Sequence, residues 1–439
     1  MSRIVLEGIS KIFGSKQVEG VELIRQGKRK AEIAAACGAV VGLCDISFDI
    51  VEGEILTLMG LSGSGKSTLL RCMNRLVEPS CGRIMVGDVD VTRLGRKDLL
   101  AFRQKTFGMV FQHFALLPNR TILSNVGFGL ELKNVPAARW NEAAMQAIEL
   151  VGLKGWEAKY PHELSGGMQQ RAGLARALAA DAEVLLMDEA FSALDPLIRR
   201  DMQSELRDLQ QKLKKTIVFV SHDLDEAVAL GGRIVLMKDG EVVQIGQPEE
   251  IVARPATEYV ARFVEHIDRA AVMRAGQVAD RSAPVLQPTL TVAEARIRIA
   301  GEGGDAWLVA DDDRRFVGCL LAARLAAARP SETVASLLEA SGEAVAAESR
   351  LDALLARVAA EGCVAVVDPD GRLIGGVGSR DVVRALAAHS AESQAGDHPE
   401  TSILQQTAGA ERWTGASRNF PSTRSATKAS TGSPTMALG

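Results

Sequence analysis

The strongest restriction on the fold of this chain comes from a glycine-rich segment of nine residues, Gly60 to Thr68. Its sequence is GLSGSGKST; it follows the apolar run ILTLM and precedes the helix-like run STLLRCMNRL. A strand, a glycine-rich loop and a helix in this order are the context in which such a loop binds phosphate. Glycines let successive backbone N–H groups point at one anion, and the helix N-terminus adds partial positive charge. The segment therefore predicts a P-loop within an α/β fold.

The side chains of this loop are suited to a magnesium nucleotide. Lys66 is predicted to neutralise the β- and γ-phosphates, and Ser67 is predicted to bind Mg²⁺. The residues predicted to cradle the nucleotide are Gly60, Ser62, Gly63, Ser64, Gly65, Lys66, Ser67 and Thr68. The alternative is an incidental turn of glycine and serine, which the complete strand, loop and helix context disfavours.

Length and composition exclude several classes of protein. The chain has 439 residues, of which 47% are hydrophobic and 24% are charged, which is typical of a soluble globular protein with about two to four domains. The formal net charge of −4 argues against a protein that coats nucleic acid, because such proteins usually carry a basic excess. No apolar run reaches the roughly 18 residues of a membrane span, and the N-terminus lacks a signal-peptide segment. We therefore expect a chain that is kept in the cytosol.

The patterns along the chain predict its organisation. From residue 60 to about 265, apolar β-like runs alternate with amphipathic helices, which indicates an α/β domain. Residues 14–43 are interpreted as one or two short helices inserted near the N-terminus. The clearest buried strands are predicted at Ile84–Val86, Phe107–Phe111, Val184–Met187, Ile217–Val220 and Ile234–Met237. After about residue 280, a weak internal repeat of about 55 residues predicts a second, smaller domain of two halves.

Two acidic residues close one of these predicted strands. Asp188 and Glu189 directly follow the run VLLM. A strand-end carboxylate such as Asp188 holds Mg²⁺ in P-loop enzymes, directly or through water. Glu189 is placed to accept a proton from the attacking water or to polarise it. Two acids after a strand are also common as solvated loop residues, so this interpretation depends on the P-loop.

A second anion-binding device lies 24 residues before Asp188, in the sequence LSGGMQQR that begins at Leu164. Ser165 is predicted to cap a helix, and Gly166 and Gly167 leave backbone N–H groups exposed at its positive end. The alternative is an ordinary helix start capped by serine. Because one nucleotide needs only one such loop, we interpret this segment as serving the nucleotide of another subunit.

In their order and spacing, these motifs resemble the ATP-binding cassette (ABC) family, in which LSGGQ-type signatures complete the partner's nucleotide site. Met168 stands where the usual signature has glutamine. The resemblance covers residues 1 to about 265. It implies a P-loop ABC-type nucleotide-binding domain of the α/β class, with a helical signature subdomain at about 95–180. It also implies ATP hydrolysis, with ATP and Mg²⁺ as cofactors.

The resemblance implies roles for further residues. Phe13 in KIFG matches the aromatic residue that stacks on adenine, and Gln112 in VFQHFALLP matches the Q-loop glutamine that senses Mg²⁺ and water. Asp195 ends the D-loop, SALD, and His222 matches the switch histidine that contacts the γ-phosphate. The implied catalytic residues are Glu189, His222, Lys66 and Gln112, and the implied metal ligands are Ser67, Gln112 and Asp188. Ser165, Gly166, Gly167, Asp195 and Phe13 join the P-loop as nucleotide-binding residues.

One branch of the family fits best. The insertion at 14–43, the segments NRLVEPSCG and MDEAFSALDPLIR, and a paired C-terminal domain resemble the ATPase subunits of glycine betaine, proline and choline (quaternary amine) importers. The expected partners are a membrane permease, a periplasmic or extracellular substrate-binding protein and a second copy of the ATPase, but no nucleic acid. The expected location is the cytoplasmic face of the cell (inner) membrane. The alternatives are the ATPase of another ABC importer class and a soluble ABC ATPase that is not involved in transport.

The C-terminal repeat resembles a degenerate tandem CBS pair of the α+β class. The second half keeps Gly375 and Asp381 of the nucleotide-binding pattern but has Gly378 in place of the hydroxyl residue. The first half keeps Gly318 but lacks both the hydroxyl and the acid. We therefore expect a structural or dimer-contact module rather than a nucleotide sensor. The predicted boundaries are 1–265 for the ATPase domain, 266–282 for a linker, 283–388 for the CBS-like pair and 389–439 for a disordered tail.

Overall fold

The computed structural model describes residues 3–112, 114–301, 306–338 and 343–387. The predicted disordered tail, residues 389–439, lies outside the described residues. Within the described ranges, the strands are β1 (Ile4–Phe13), β2 (Val40–Ile50), β3 (Ile55–Met59), β4 (Cys81–Val86), β5 (Val89–Asp90), β6 (Phe107–Phe111), β7 (Val184–Asp188), β8 (Thr216–Val220), β9 (Arg233–Lys238), β10 (Glu241–Gly246), β11 (Ala306–Ala310), β12 (Phe316–Leu321), β13 (Val345–Ala346), β14 (Cys363–Val367) and β15 (Leu373–Gly378).

The α-helices of the described residues begin with the two predicted in the insertion. In chain order they are α1 (Gln17–Arg25), α2 (Lys30–Cys37), α3 (Lys66–Met73), α4 (Arg96–Thr106), α5 (Ile122–Val126), α6 (Phe128–Leu132), α7 (Ala137–Leu150), α8 (Gly166–Ala179), α9 (Pro196–Leu213), α10 (Leu224–Leu230), α11 (Pro248–Ala253), α12 (Glu258–Val264), α13 (Arg269–Val272), α14 (Ala275–Val278), α15 (Val292–Arg298), α16 (Ala322–Ala327), α17 (Val334–Leu337), α18 (Leu355–Glu361) and α19 (Ser379–Ala387). Among these described helices, none has both the length and the apolar character needed to cross a membrane.

A six-stranded sheet forms the centre of the region that contains the P-loop, with the strand order β10-β9-β3-β8-β7-β6. Strands β9, β3, β8, β7 and β6 are parallel neighbours, and β10 pairs with β9 in the antiparallel sense. Every residue of β3, β7 and β8 is buried. Continuous apolar runs suit strands that are covered on both faces, which is why the sequence predicted these strands correctly.

The sheet order brings the predicted motifs to one edge. The P-loop follows β3, His222 comes after β8, and Asp188 ends β7, and these three strands are direct neighbours. Because parallel strands end on the same side of a sheet, the loops at their carboxyl ends meet there, where open α/β sheets bind ligands.

The N-terminal part of the chain forms a second sheet of antiparallel strands, in the order β2-β1-β4-β5. The first strand, β1, extends to Phe13, and its residues Ile4 and Leu6 are buried. The insertion joins β1 to β2, and its helices pack on a small apolar cluster that includes Ile12 and Ile33. The insertion is therefore part of the folded structure and not an extended loop.

The helices between β6 and β7 form a separate helical lobe. Helix α8 packs mainly against α5, α6, α7, α9 and β6. Their shared core contains buried residues such as Val126, Ile148 and Leu174, and α6 packs against it through the partly buried Leu130. Within the predicted helical subdomain, about residues 95–180, helices α5 to α8 form this lobe, whereas β6 belongs to the six-stranded sheet and Leu99 of α4 to a different core cluster. The bounds of the subdomain stay a prediction.

The C-terminal region contains two similar hairpins. The hairpin of β14 and β15 repeats that of β11 and β12 after 57 residues, from Ala306 to Cys363. Both hairpin turns are closed in the same way, since Asp311 accepts hydrogen bonds from the N–H groups two and four residues later and Asp368 does the same. The two halves meet at a bridge between Arg315 and Arg372. These features fit the predicted repeat, while its likeness to CBS domains stays a prediction.

The segment that the sequence predicts as a linker, residues 266–282, is folded. It contains α13 and α14, and Ala275 is buried in the core of the C-terminal region. The N–H of Leu351 donates to the carbonyl of Met273 and joins this segment to the second repeat. Small apolar side chains such as Ala275 give little sign of burial in a sequence, because their packing depends on residues distant in the chain.

Candidate nucleotide-binding site

The P-loop has a backbone that requires glycine. Gly60, Gly63 and Gly65 have φ angles of 143°, 78° and 101°. A Cβ atom on Gly60 would lie 2.2 Å from the carbonyl oxygen of Met237, and one on Gly65 would lie 2.7 Å from that of Gly42. Both the positive φ angles and the close contacts exclude larger residues. Ser62 and Gly63 are exposed at the tip of the loop.

Lys66 and Ser64 lie inside the loop. The Lys66 ammonium donates to the carbonyl oxygens of Gly60 (2.7 Å) and Leu61 (3.0 Å), and the residue is 5% exposed. Burial lowers the pKa of Lys66, while the carboxylates of Glu189 and Asp188 act in the opposite direction. An ammonium has three donors, so one remains for a phosphate oxygen. The Ser64 hydroxyl is buried and has no hydrogen-bond partner in the described residues, which fits a loop that is completed by an anion.

Asp188 lies opposite the start of the P-loop helix. Its Oδ1 accepts a hydrogen bond from Ser67 Oγ (2.7 Å), and its Oδ2 accepts one from Arg71 Nη2 (3.0 Å). A hydroxyl and a carboxylate oxygen in contact form a donor set that fits Mg²⁺, which prefers oxygen ligands. Thr68, the next residue of α3, is partly buried. The sequence reasoning missed Arg71, which lies four residues after Ser67 on the same helix face but whose partner, Asp188, is 117 residues away in the chain.

Glu189 and His222 stand at the open edge of the site. Glu189 has a left-handed backbone conformation with φ 47°, and its N–H donates to the carbonyl of Val220 (3.2 Å). Its Oε2 lies 3.8 Å from Nδ1 of His222, and the two side chains are 25% and 59% exposed, respectively. Non-glycine residues in this conformation are strained and are concentrated at functional sites. The geometry brings the two predicted catalytic side chains together.

Gln112 is connected to the loop that follows Glu189. Its Nε2 donates to Ser192 Oγ (3.1 Å), and Ser192 Oγ donates to the carbonyl of Glu189 (2.9 Å). The hydrogen bond of the Gln112 amide therefore goes to the D-loop and not to Asp188 or Ser67. Its role as a Mg²⁺ ligand stays a prediction. Asp195 caps α9, because its Oδ1 accepts hydrogen bonds from the N–H groups two and three residues later, those of Leu197 (3.2 Å) and Ile198 (3.1 Å).

The signature segment belongs to the helical lobe and not to the elements that pack around the P-loop helix. Ser165 caps α8 through a hydrogen bond from the N–H of Met168 (3.4 Å), and both Ser165 and Gly166 are exposed. Gly167 is buried, and a Cβ atom there would lie 2.7 Å from Ile198 Cγ2 on α9. Whereas α8 packs mainly in the helical lobe, the P-loop helix α3 packs mainly on β2, β7 and β8. The structure thus separates the two predicted anion-binding devices within one chain.

Phe13 lies beside the P-loop despite the insertion that follows it. A Cβ atom on Gly42 would lie 2.6 Å from Phe13 Cε2, and the carbonyl of Gly42 is the group that approaches Gly65. Helix α1 packs instead on Ile12, because a Cβ atom on Gly20 would lie 2.6 Å from Ile12 Cδ1. Successive strand residues face opposite sides. The insertion therefore occupies the Ile12 side and leaves the Phe13 ring 40% exposed.

Two hydrogen bonds that the sequence did not predict join the P-loop to the C-terminal part of its domain. The N–H of Gly240, in the turn between β9 and β10, donates to the carbonyl of Ser64 (3.0 Å). The same turn region is bound to the insertion by an ion pair of Arg29 with Glu241 (2.7 Å). The hydroxyl of Tyr259 on α12 accepts from the N–H of Leu61 (3.3 Å). No local pattern could have shown these contacts, because the partners lie far apart in the chain.

These features define a P-loop nucleotide-binding domain of the ATP-binding cassette class: a phosphate loop with its buried lysine, two strand-end acids, a histidine at the next strand and an outward-facing signature segment. A family model described as ABC transporter matches residues 43–192. The chain is 52% identical over 283 residues to the glycine betaine transport ATP-binding protein OpuAA of Bacillus subtilis, covering 64% of this chain and 68% of that protein.

Two further relatives extend over more of the chain. The glycine betaine/carnitine transport ATP-binding protein GbuA of Listeria monocytogenes is 48% identical, covering 74% of this chain and 82% of that protein. The glycine betaine/proline betaine transport system ATP-binding protein ProV of Escherichia coli is 42% identical, covering 88% and 97%. The chain belongs to the ABC transporter family, in the group of ATP-binding proteins that these relatives represent.

We expect Phe13→Ala to weaken ATP binding without changing the overall fold. Stacking of a base on an aromatic ring contributes about 1–3 kcal/mol, which corresponds to a roughly 5- to 150-fold increase in the ATP dissociation constant. Calorimetric titration of the full chain measures it. Tyr160→Ala is a matched control, because Tyr160 is also 40% exposed but lies in the helical lobe. Equal dissociation constants for both variants would contradict the assignment of Phe13.

Proposed function

We propose that this chain is the ATP-hydrolysing subunit that powers import of a quaternary amine osmolyte (glycine betaine, choline or proline) through a membrane permease. The observation that carries the proposal is the joint presence of a complete nucleotide site and 42–52% identity to three ATP-binding proteins named for glycine betaine transport. The ATPase does not itself contact the transported solute. The choice among these amines therefore rests on the relatives.

The working form is a dimer of two chains that hold two ATP molecules between them. Each nucleotide lies between the P-loop of one chain and residues Ser165–Gly167 of the other. The exposed position of Ser165 and Gly166, on a helix that packs away from α3, supports this arrangement. Since the γ-phosphate contacts both chains, ATP stabilises the closed dimer more than ADP does, and phosphate release allows the dimer to open.

Hydrolysis of ATP uses the side chains at the sheet edge. Lys66 neutralises charge on the phosphates, and His222 holds the γ-phosphate. Glu189 accepts the proton of the attacking water or polarises that water. Ser67 and Asp188 would hold Mg²⁺, which when bound neutralises phosphate charge. Arg71 keeps the Asp188 carboxylate oriented towards α3 by its hydrogen bond to Oδ2.

The region around Gln112 passes the motion to the permease. Gln112 is partly exposed and is joined through Ser192 to the loop of Glu189, which supports a path from the hydrolysis site to the surface. A periplasmic or extracellular binding protein delivers the solute from the other side. The chain works at the cytoplasmic face of the membrane as a peripheral subunit.

The CBS-like pair serves as a structural or dimer-contact module. Asp381, the acid of the nucleotide-binding pattern, accepts a hydrogen bond from the N–H of Gly378 (2.9 Å) and so caps α19. A Cβ atom on Gly375 would lie 2.4 Å from the carbonyl of Asp280, so this glycine is required for packing. Both residues that the second half keeps therefore have structural roles, which supports a module that does not bind nucleotide.

The proposal is tested by the ATPase activity of the full chain reconstituted with its permease and binding protein. Glycine betaine, choline, proline and carnitine are added one at a time at several ionic strengths. Stimulation by one of these amines is expected and would identify the substrate. Maltose and spermidine are the controls for other importer classes. Intact basal activity without stimulation by any amine would leave an ABC ATPase and contradict the betaine assignment.

A further inference from the structure

Helix α9 connects the D-loop to the segment that carries His222. Arg199 and Gln203 lie four residues apart on α9 and therefore share one face. Arg199 Nη2 donates to the D-loop carbonyls of Ser192 (3.4 Å) and Leu194 (3.1 Å). Arg199 Nη1 also lies 3.6 Å from Oδ2 of Asp223, the residue after His222. One guanidinium thus contacts both loops.

Gln203 makes the second connection through a buried acid. Gln203 and Glu226 are 5% and 6% exposed, and Gln203 Nε2 donates to Glu226 Oε1 (3.1 Å). Glu226 Oε2 accepts a hydrogen bond from the hydroxyl of Ser221, the residue before His222. Burial raises the pKa of Glu226, and the hydrogen bonds from Ser221 and Gln203 act in the opposite direction. A buried carboxyl group is costly unless it is hydrogen-bonded, so its two donors fix its position.

Hydrogen bonds and an ion pair therefore hold the residues on both sides of His222, whereas the His222 side chain itself is exposed. The N–H of Asp223 donates to Ser221 Oγ (3.0 Å), which closes a tight turn around the histidine. The His222 side chain is 59% exposed, and its ionic neighbour Glu189 lies 3.8 Å away. The position of the imidazole is thus set mainly by Ser221 and Asp223.

We propose that Arg199, Gln203 and Glu226 are positioning residues that hold His222 in register with the D-loop, so that α9 couples the position of His222 to the loop that follows Glu189. The inference rests on the proposed mechanism, in which His222 holds the γ-phosphate and Glu189, directly before the D-loop segment, acts on the attacking water. A misplacement of a reacting group by about 1 Å can cost roughly 100-fold in rate. Loss of these bonds should therefore lower turnover more than ATP binding.

The same helix supplies matched controls. Arg207 Nη1 donates to the carbonyl of Ala229 (3.2 Å), at the far end of α10. The Gln210 amide donates to the carbonyls of Gly53 and Lys215 (3.4 Å for the second). Arg207→Lys and Gln210→Leu thus change α9 side chains that also donate hydrogen bonds to backbone carbonyls, but that contact neither the D-loop nor the residues beside His222.

The test is steady-state ATP hydrolysis by the full chain in its reconstituted complex, together with ATP dissociation constants. We expect Gln203→Leu, Glu226→Leu and Arg199→Lys to lower kcat by about tenfold or more, with less than about a twofold change in the dissociation constant. Glu226→Gln should retain most of the activity, because rotation of the Gln203 amide lets both side chains stay hydrogen-bonded. Arg207→Lys and Gln210→Leu should stay within about twofold of the wild type, and thermal unfolding checks that each variant is folded.

The outcomes separate this inference from the proposed function. Equal losses in the α9 variants and their matched controls would overturn the positioning role, and so would a loss of ATP affinity with turnover unchanged. A wild-type complex without ATPase activity would contradict the proposed function itself and the inference with it. Activity of the wild type, with a selective loss of kcat at Arg199, Gln203 and Glu226 and its recovery in Glu226→Gln, would establish the role.

Discussion

Replacing Glu189 by glutamine is expected to abolish ATP turnover while leaving ATP binding in place. The amide has nearly the size of the carboxylate but cannot accept a proton from water. A positioned general base contributes about 10²- to 10⁴-fold to a rate, so the loss should be of that order. Because the P-loop and His222 stay intact, ATP should also hold Glu189→Gln in the closed dimer. Phosphate release and light scattering with ATP measure the two effects.

Glu183→Gln is the matched control for this experiment. Glu183 precedes β7, at the opposite end of the strand that Asp188 closes, so its carboxylate is remote from the nucleotide site. This variant should hydrolyse ATP at the wild-type rate and should dissociate after turnover. Normal hydrolysis by Glu189→Gln, with a monomeric chain in the presence of ATP, would remove Glu189 from the mechanism.

The second large effect is expected for Lys66→Ala, which should lose ATP affinity. The Lys66 ammonium is held by two carbonyls of the loop and has one donor left for the phosphates. A hydrogen bond to a charged group contributes about 1.5–3 kcal/mol, so the ATP dissociation constant should rise by roughly 10- to 150-fold. Calorimetric titration with ATP, at fixed Mg²⁺, measures this change.

Lys133→Ala controls for the removal of a partly buried lysine. Lys133 Nζ donates to the carbonyl of Ala180 (3.1 Å), and burial lowers the pKa of Lys133 as it does that of Lys66. Lys133 lies in the helical lobe, away from the P-loop, so its loss should leave ATP affinity unchanged. An ATP dissociation constant that is the same in Lys66→Ala and the wild type would refute the P-loop assignment.

The sequence predicted the central part of the fold because that part is encoded locally. Strands such as Phe107–Phe111 and Val184–Asp188 are short apolar runs between turn residues, and the structure has them within one residue of the predicted bounds. The P-loop requires glycines at fixed positions, and these stand out in any sequence. The position of Asp188 and Glu189 beside the P-loop was also predictable, because the carboxyl ends of parallel strands lie at the same edge of a sheet.

Other features depend on contacts between distant residues and have no local signal. Arg71 contacts Asp188 across 117 residues, and Tyr259 contacts Leu61 across 198. The placement of Phe13 followed only from the alternation of Ile12 and Phe13 on β1, which directs the insertion to one side. The folded state of residues 268–278 depends on the core of the C-terminal region. The pairing of Ser165–Gly167 with a second chain stays a prediction from the family pattern.

The most direct test of the proposed function measures solute uptake and ATP hydrolysis in the same sample. Proteoliposomes that contain the wild-type chain, its permease and its binding protein are given ATP inside and labelled glycine betaine outside, and uptake and phosphate release are measured in the same sample. We expect that uptake requires ATP and that phosphate release rises with glycine betaine. In Glu189→Gln, uptake and phosphate release should both stop. Uptake that continues in Glu189→Gln, or phosphate release that is indifferent to every amine, would contradict the proposed function.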